Sequence, residues 1–296
     1  MKNKIIPLAL FSLAICLSSC LKEHGRDKCP SNYYAIIEVT DKNYSNVADI
    51  PGQTPRDENL PFIQYVSNLS YHLYNKNSEK VISIAPEAIS DSTQKTVNLF
   101  FPDIEDGNYS LRVFGNIEQA PELRNGLSVY QLHPNKQEST DVYIAESDLD
   151  LSPGASPQHI KLQRAKGYLS IQIDGLPDTV GMVGLRLGPV YGEIDQNLNY
   201  GVETEVEKKF TSLQYPSTTL SLYGAPSPAG KNSTLQLALY RTVQSTVPFA
   251  YLPDIAINMK RNQITALQIE YKPEGGVEIW IYTEGGWIKL HELDLQ

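Results

Sequence analysis

The run Asp106-Gly107-Asn108-Tyr109-Ser110-Leu111-Arg112-Val113-Phe114-Gly115-Asn116 opens on a turn dipeptide and continues with Tyr109, Leu111 and Val113 at every second position. Successive side chains leave a pleated backbone on opposite sides, so period two marks a strand with one apolar face. The same signal recurs on either side of this run. Before it, Tyr33 to Thr40, Tyr65 to Tyr74, Val81 to Ile84 and Thr96 to Phe101 read as strands, and Thr140 to Ile144 follows it. Asn43 to Leu60, with two prolines and many polar residues, reads as a long loop, and Glu118 to Leu127 is expected to hold a short helical turn.

Leu151-Ser152-Pro153-Gly154-Ala155-Ser156-Pro157 is the densest cluster of residues that stop regular structure, and it reads as a linker. Beyond it come further strand signals: Ile160 to Arg164, Tyr168 to Ile173, Val183 to Leu187, Thr219 to Tyr223, Leu235 to Tyr240, Thr265 to Tyr271, Glu278 to Tyr282 and Trp287 to Leu290. Many short strands between Gly and Pro turns, with scarce helical periodicity, predict an all-β protein of two sandwiches. The expected division is residues 33–151 for the first, 152–159 for the linker and 160–296 for the second.

The first twenty residues specify a compartment. Lys2 and Lys4 form a basic start, Ile5 to Leu17 is an apolar stretch too short to span a bilayer, and Leu17-Ser18-Ser19 places small residues directly before Cys20. This is the pattern of a lipoprotein signal peptide over residues 1–19, with cleavage before Cys20 and acyl chains on its sulfur. Two or three acyl chains suffice for stable membrane attachment. Leu21 follows, with no Asp there to suggest inner-membrane retention, so the outer membrane is the expected location. Residues 20–32 read as a lipidated polar tether.

The chain has 296 residues, 41% of them apolar, enough for sizeable cores, and its formal charge is −9. Removing Lys2 and Lys4 makes that −11, which argues against nucleic acid and against broad adhesion to anionic lipid. Of three cysteines, Cys16 leaves with the signal and Cys20 carries lipid, so Cys29 has no intramolecular partner and no disulfide framework is expected.

Catalytic patterns are missing from the sequence. His24, His72, His133, His159 and His291 lie far apart without metal-ligand spacing, and Gly184, Gly188 and Gly192 open no helix. No metal or cofactor is expected. Asp103, Glu105 and Asp106 cluster at a turn and read as solvated; Glu146, Asp148 and Asp150 make a minor candidate for an ion site. The 18 tyrosines suit half-buried strand faces, with a glycan platform as the alternative; Trp280 and Trp287, on neighbouring strand segments, are expected in the core.

Three blocks in order carry a resemblance. Cys20-Leu21-Lys22-Glu23-His24-Gly25-Arg26-Asp27-Lys28-Cys29-Pro30, the Asp106 to Asn116 run, and Leu162-Gln163-Arg164 before Gly167-Tyr168-Leu169-Ser170-Ile171 together resemble the FimB-like fimbrial anchor and minor subunit lipoproteins of Bacteroidetes. The resemblance implies two tandem transthyretin-like β-sandwiches, a lipid anchor at Cys20 in the outer membrane, and service as the anchor or an accessory subunit of a type V fimbria. It implies fimbrial stalk or accessory subunits as partners, joined by strand addition, and no catalytic residue. Arg164 marks the second domain's first strand on this reading. Protease-processed stalk subunits of the class carry an Arg-containing loop at the end of a first strand; no obvious one stands here, Arg56 in the long loop being the sole candidate, and this favours the anchor role. The alternative function is a surface glycan-binding lipoprotein without catalysis.

Overall fold

The computed structural model describes residues 33–272 and 275–294. The expected signal peptide, the tether, Cys20, His24 and Cys29 lie outside the described residues. The strands are β1 (Tyr33–Val39), β2 (Asn68–Asn75), β3 (Lys80–Ala88), β4 (Val97–Phe101), β5 (Gly107–Gly115), β6 (Glu122–Arg124), β7 (Leu127–Gln131), β8 (Tyr143–Leu151), β9 (Gln158–Arg164) and β10 (Gly167–Asp174). They continue as β11 (Met182–Asp195), β12 (Tyr200–Phe210), β13 (Thr218–Gly224), β14 (Ser233–Tyr240), β15 (Ala250–Tyr251), β16 (Ile255–Ile257), β17 (Ile264–Tyr271), β18 (Gly276–Thr283) and β19 (Gly286–Asp294). The protein is all-β, as expected, with single 3-10 turns at Phe62–Gln64 and Pro134–Lys136.

In the first sandwich, a layer ordered β3-β2-β5-β8 faces one ordered β9-β1-β4, and the two join where β8 pairs with β9 over only Tyr143↔Arg164 and Ile144↔Gln163. The second sandwich has one layer ordered β13-β10-β17-β18-β19 and a second built on β11, with β14, β12 and β7 beside it. The alternation read in the Asp106 to Asn116 run has a double use. Leu111 and Val113 lie in the core of the first sandwich with Tyr109 packed against it, whereas Phe114, on the opposite face, lies in the core of the second. Tyr143 and Ile144 divide the same way on β8. One sheet face therefore serves each core, and no solvent layer separates them.

Two expectations need correction. Gln158–Arg164 does not open the second sandwich: it pairs in parallel with β1, from Ala35↔Gln158 to Val39↔Leu162, and lies in the first. The Leu151 to Pro157 cluster is accordingly a connection between two layers of one sandwich, and the chain enters the second at Ala165-Lys166. The predicted helical turn at Glu118 to Leu127 is instead the β6–β7 hairpin. It departs from the first sandwich and adds to β11 of the second through Val129↔Asp195, Tyr130↔Ile194 and Gln131↔Glu193. Ile117, Tyr130, Leu132 and Val142 from this excursion lie in the second core. The chain thus visits the second sandwich before completing the first.

Arg164, at the end of β9 and 3% exposed, bolts the two together. Its Nε donates to Asp141 Oδ2 at 2.8 Å, its guanidinium donates further to Asn262 Oδ1 at 2.6 Å and to the Tyr143 hydroxyl at 2.5 Å, and it lies 4.1 Å from the Tyr44 ring centroid. The loop after β1 follows the same line: the Asn46 side chain donates to Ile264 O and accepts from Ile264 N, at 2.9 and 2.8 Å. Asp41 Oδ2 accepts from Arg164 N at 2.8 Å and lies 3.5 Å from Arg261. Beside this sits Lys166, fully buried, its Nζ 2.8 Å from Ser139 Oγ; burial pushes its pKa down to about 7.

Candidate subunit interface

An all-β chain expected to join others by strand addition must offer a sheet edge whose N–H and C=O groups are unpaired and reachable. Most edges among the described residues are blunted. The β3 edge carries Pro86, and its pairing with β2 shifts register twice, between Leu69 and Tyr71 and between Leu73 and Tyr74. The β4 edge is five residues long. On β12, Glu203, Glu205, Glu207, Lys208 and Lys209 make a charged edge tied by ion pairs such as Lys136–Glu205 at 2.6 Å. The β13 edge is occupied: Tyr223 N donates to Glu138 Oε1 at 2.7 Å, and Ser221 O accepts from Lys208 Nζ at 2.7 Å.

The β19 edge differs. It is nine residues long, contains no proline and, among the described residues, pairs only with β18. Ile288, opposite Ile281, is 51% exposed, and Leu290 is 37% exposed. The register shift between Ile279 and Trp280 leaves Leu290 as the extra residue of a bulge. An incoming strand would cover both apolar side chains while taking up backbone hydrogen bonds. The sequence showed a strand from Trp287 to Leu290; that it runs on to Asp294 at a sheet edge was not legible.

Trp280 and Trp287 are not in either sandwich core, contrary to expectation. Both are half-buried on the outer face of the β13-β10-β17-β18-β19 sheet. Trp287 meets Tyr282 edge-on at 5.4 Å and packs against the small cluster of Ile50, Ile264 and Ala266, while Lys289 Nζ lies 4.9 Å from the Trp280 centroid. With both rings engaged by neighbours, the pair makes a poor glycan platform.

The remaining candidates are dispersed. Glu146, Asp148 and Asp150 alternate along β8, where Glu146 accepts from Arg112 Nε at 3.1 Å and Asp150 from the Ser152 hydroxyl; among the described residues no His, Cys, Asp and Glu converge as a metal site. Asp106 accepts from the Tyr33 hydroxyl at 2.6 Å. His72 lies beside Ser83 at 3.0 Å and is pushed down to about 4, chiefly by burial, then by Lys80 and Arg112. His133 Nε2 accepts from Ala225 N at 3.0 Å, and burial holds its pKa well below the ordinary value. His159 lies 3.7 Å from Glu38 on the exposed surface. Gly184, Gly188 and Gly192 lie within β11. The backbone of Arg56 is clamped by Asn43, which donates to Arg56 O at 3.1 Å and accepts from Arg56 N at 2.7 Å. Arg164, expected to mark a strand of the second domain, is instead the bolt at the junction. Among the described residues no helix is long and apolar enough to cross a membrane.

No protein-family model matches the chain, and no curated protein matches it. Solved structures do. A candidate adhesin from Bacteroides thetaiotaomicron superposes with a TM-score of 0.54 at 10% identity, covering 89% of this chain and 100% of that one. A candidate polysaccharide-binding protein from the same organism gives 0.54 at 8% identity over 88% of this chain and 98% of the other. A candidate adhesin from Bacteroides ovatus gives 0.51 at 10% identity, over 88% and 96%. At such identities the likeness is one of fold, and it spans both sandwiches.

Proposed function

We propose that this chain, which shares its two-sandwich fold with candidate adhesins of Bacteroides, is a non-catalytic subunit of a surface fimbria, anchored in the outer membrane by lipid on Cys20. It joins its neighbours by strand addition at the β19 edge. The observation that carries this reading is that edge: a long proline-free strand with Ile288 and Leu290 turned out to solvent, where β12 and β13 are covered or charged. Backbone hydrogen bonds supply affinity in such joints and alternate side-chain pockets supply specificity, so no cleft for chemistry is required. The clamp on Arg56 supports an anchor or accessory role over that of a processed stalk subunit, because a protease needs an extended and pliable chain around its cleavage site. Lipid on Cys20 accounts for the signal pattern.

Replacement of both Ile288 and Leu290 by Asp in the native host tests the edge. Fimbriae should leave the cells while the variant protein remains folded and membrane-bound; fimbriae that stay attached would rule out this edge. Deletion of the gene with no change in fimbrial length or attachment would remove the fimbrial role. Cys20→Ala should release the protein from the membrane fraction, and mass spectrometry of the native chain should find acyl chains on Cys20.

A further inference from the structure

Between the sandwiches, under the loop that follows β1, lies a cleft of about 470 Å³, within the size range of ligand pockets, roughly 300–1,000 Å³. Besides apolar Val47, Ile63 and Ile264 and the hydroxyls of Thr54, Ser67 and Thr140, three kinds of group line it. Five are tyrosines: Tyr44, Tyr65, Tyr143, Tyr168 and Tyr223. Tyr44 stacks on Tyr168 at 5.6 Å and Tyr168 lies 5.5 Å from Tyr223, so three of the rings form a continuous wall. Amides form the second kind, Asn43, Gln53, Gln64 and Asn116 among them. The third is a pair of cations, Lys42 and Arg56, at the loop side.

The charges are unequally committed. Arg164, also on the wall, is spent on Asp141, Asn262 and Tyr143. Lys42 Nζ and the Arg56 guanidinium instead donate to backbone carbonyls, of Glu58 at 2.6 Å and Gln64 at 3.4 Å. In a chain of net charge −9 this leaves two positive charges facing the cleft, with Asp57 and Glu58 beside Arg56 in sequence and Asp141, paired with Arg164, as the nearby carboxylates.

We propose that this cleft binds a carboxylated pyranose, a sugar of the uronic or sialic acid type at the end of a glycan chain. Half-buried Tyr168 and Tyr223 offer the aromatic surface that their neighbours leave uncovered to the apolar side of a sugar ring and keep their hydroxyls for its polar edge. The amides exchange hydrogen bonds with ring hydroxyls, and Arg56 and Lys42 take the carboxylate, which the planar guanidinium can hold through two bonds. A peptide strand suits the site poorly. Of the strands in the wall, β8 and β10 are paired on both sides, and the outer edge of β13 is met by the Glu138 and Lys208 side chains, so no open edge is offered. This site is independent of the β19 edge and does not rest on the fimbrial reading.

The test uses the full chain in detergent, titrated by calorimetry with sialyllactose, a glucuronic-acid-terminated disaccharide and neutral lactose, and screened on an array of uronate- and sialate-terminated glycans. At least one acidic sugar should bind saturably and about tenfold more tightly than its neutral counterpart. In Arg56→Gln, which preserves the backbone clamp by Asn43, that advantage should vanish, while thermal unfolding stays unchanged. Tyr223→Ser should weaken acidic and neutral sugars alike. No binding by any acidic glycan, equal binding to native protein and Arg56→Gln, or displacement of the sugar by an extended peptide would each overturn the proposal.

Discussion

The junction between the sandwiches and the β19 edge are built on opposite rules. At the junction nearly every polar group has a partner: Arg164 divides its donors among Asp141, Asn262 and Tyr143, and Asn46 pairs both ways with Ile264. At β19 one side of the strand is paired and, among the described residues, the other is open, with Ile288 and Leu290 partly in water. Saturation ties the two sandwiches to each other; an unpaired edge is free to accept a second molecule, which is the role proposed for β19. The contrast predicts that substitutions at the junction change stability and leave partners indifferent, and that substitutions at β19 do the reverse.

The largest effect falls at the bolt. Arg164→Ala strands Asp141, whose carboxyl burial already pushes upward against the pull of Arg164, and removes four contacts at once. Breaking one side of a buried ion pair costs about 3–5 kcal/mol. Urea unfolding should show that loss, with the single transition splitting into two as the sandwiches uncouple. Gly167→Ala comes next. A Cβ there would stand 2.3 Å from Lys260 O, a backbone atom of the opposing segment, so the strand must shift away. Overpacking of this kind costs about 1–3 kcal/mol, again read as a lowered urea midpoint.

How much of this was legible follows from what sequence reports. The face of Tyr109, Leu111 and Val113 was readable because period two is local. The service of Phe114 to a different core was not, since alternation says that a residue points elsewhere without saying at what. Leu151 to Pro157 reads as a linker because Gly and Pro record only that the chain turns. Whether the next strand stays in the same sandwich depends on β9 meeting β1, residues such as Ile37 and Ile160 far apart in sequence. β12 escaped notice because its alternating Glu and Lys mask a strand that borrows its apolar partners from β11. The β19 edge and the cleft were hidden for the same reason: both are products of pairing between distant segments. Arg164 was singled out, yet its partners Asp41, Asp141 and Asn262 carry no pattern of their own.

A pH experiment sharpens the junction side of the contrast. The folded chain holds Lys166 near pKa 7 against an ordinary value of 10.5, with burial as the main cause. A depressed amine binds fewer protons folded than unfolded throughout that interval, so native stability should rise as pH goes from about 7 toward 10 and the penalty is full below 7. Lys166→Met removes the group while keeping its volume. The variant should be more stable than the native chain at pH 6, and its slope between pH 7 and 10 should be flatter, as measured by urea midpoints across the series. His72, held near 4, adds a smaller slope of the same sign between about pH 4 and 6.5, which His72→Gln should abolish.

The smallest stability effect belongs to β19, and it separates the two rules most cleanly. Ile288→Asp with Leu290→Asp removes apolar groups that are already half in water, and surface changes away from special features stay within about 0.5 kcal/mol. The urea midpoint should therefore barely move, whereas co-purification of neighbouring subunits should be lost. A large drop in stability would mean that these side chains are part of the fold's own core, and the edge would then be a closed one. Retention of the neighbours with unchanged stability would place the joint at another edge, and β4, short but with Phe100 exposed, would be the next to substitute.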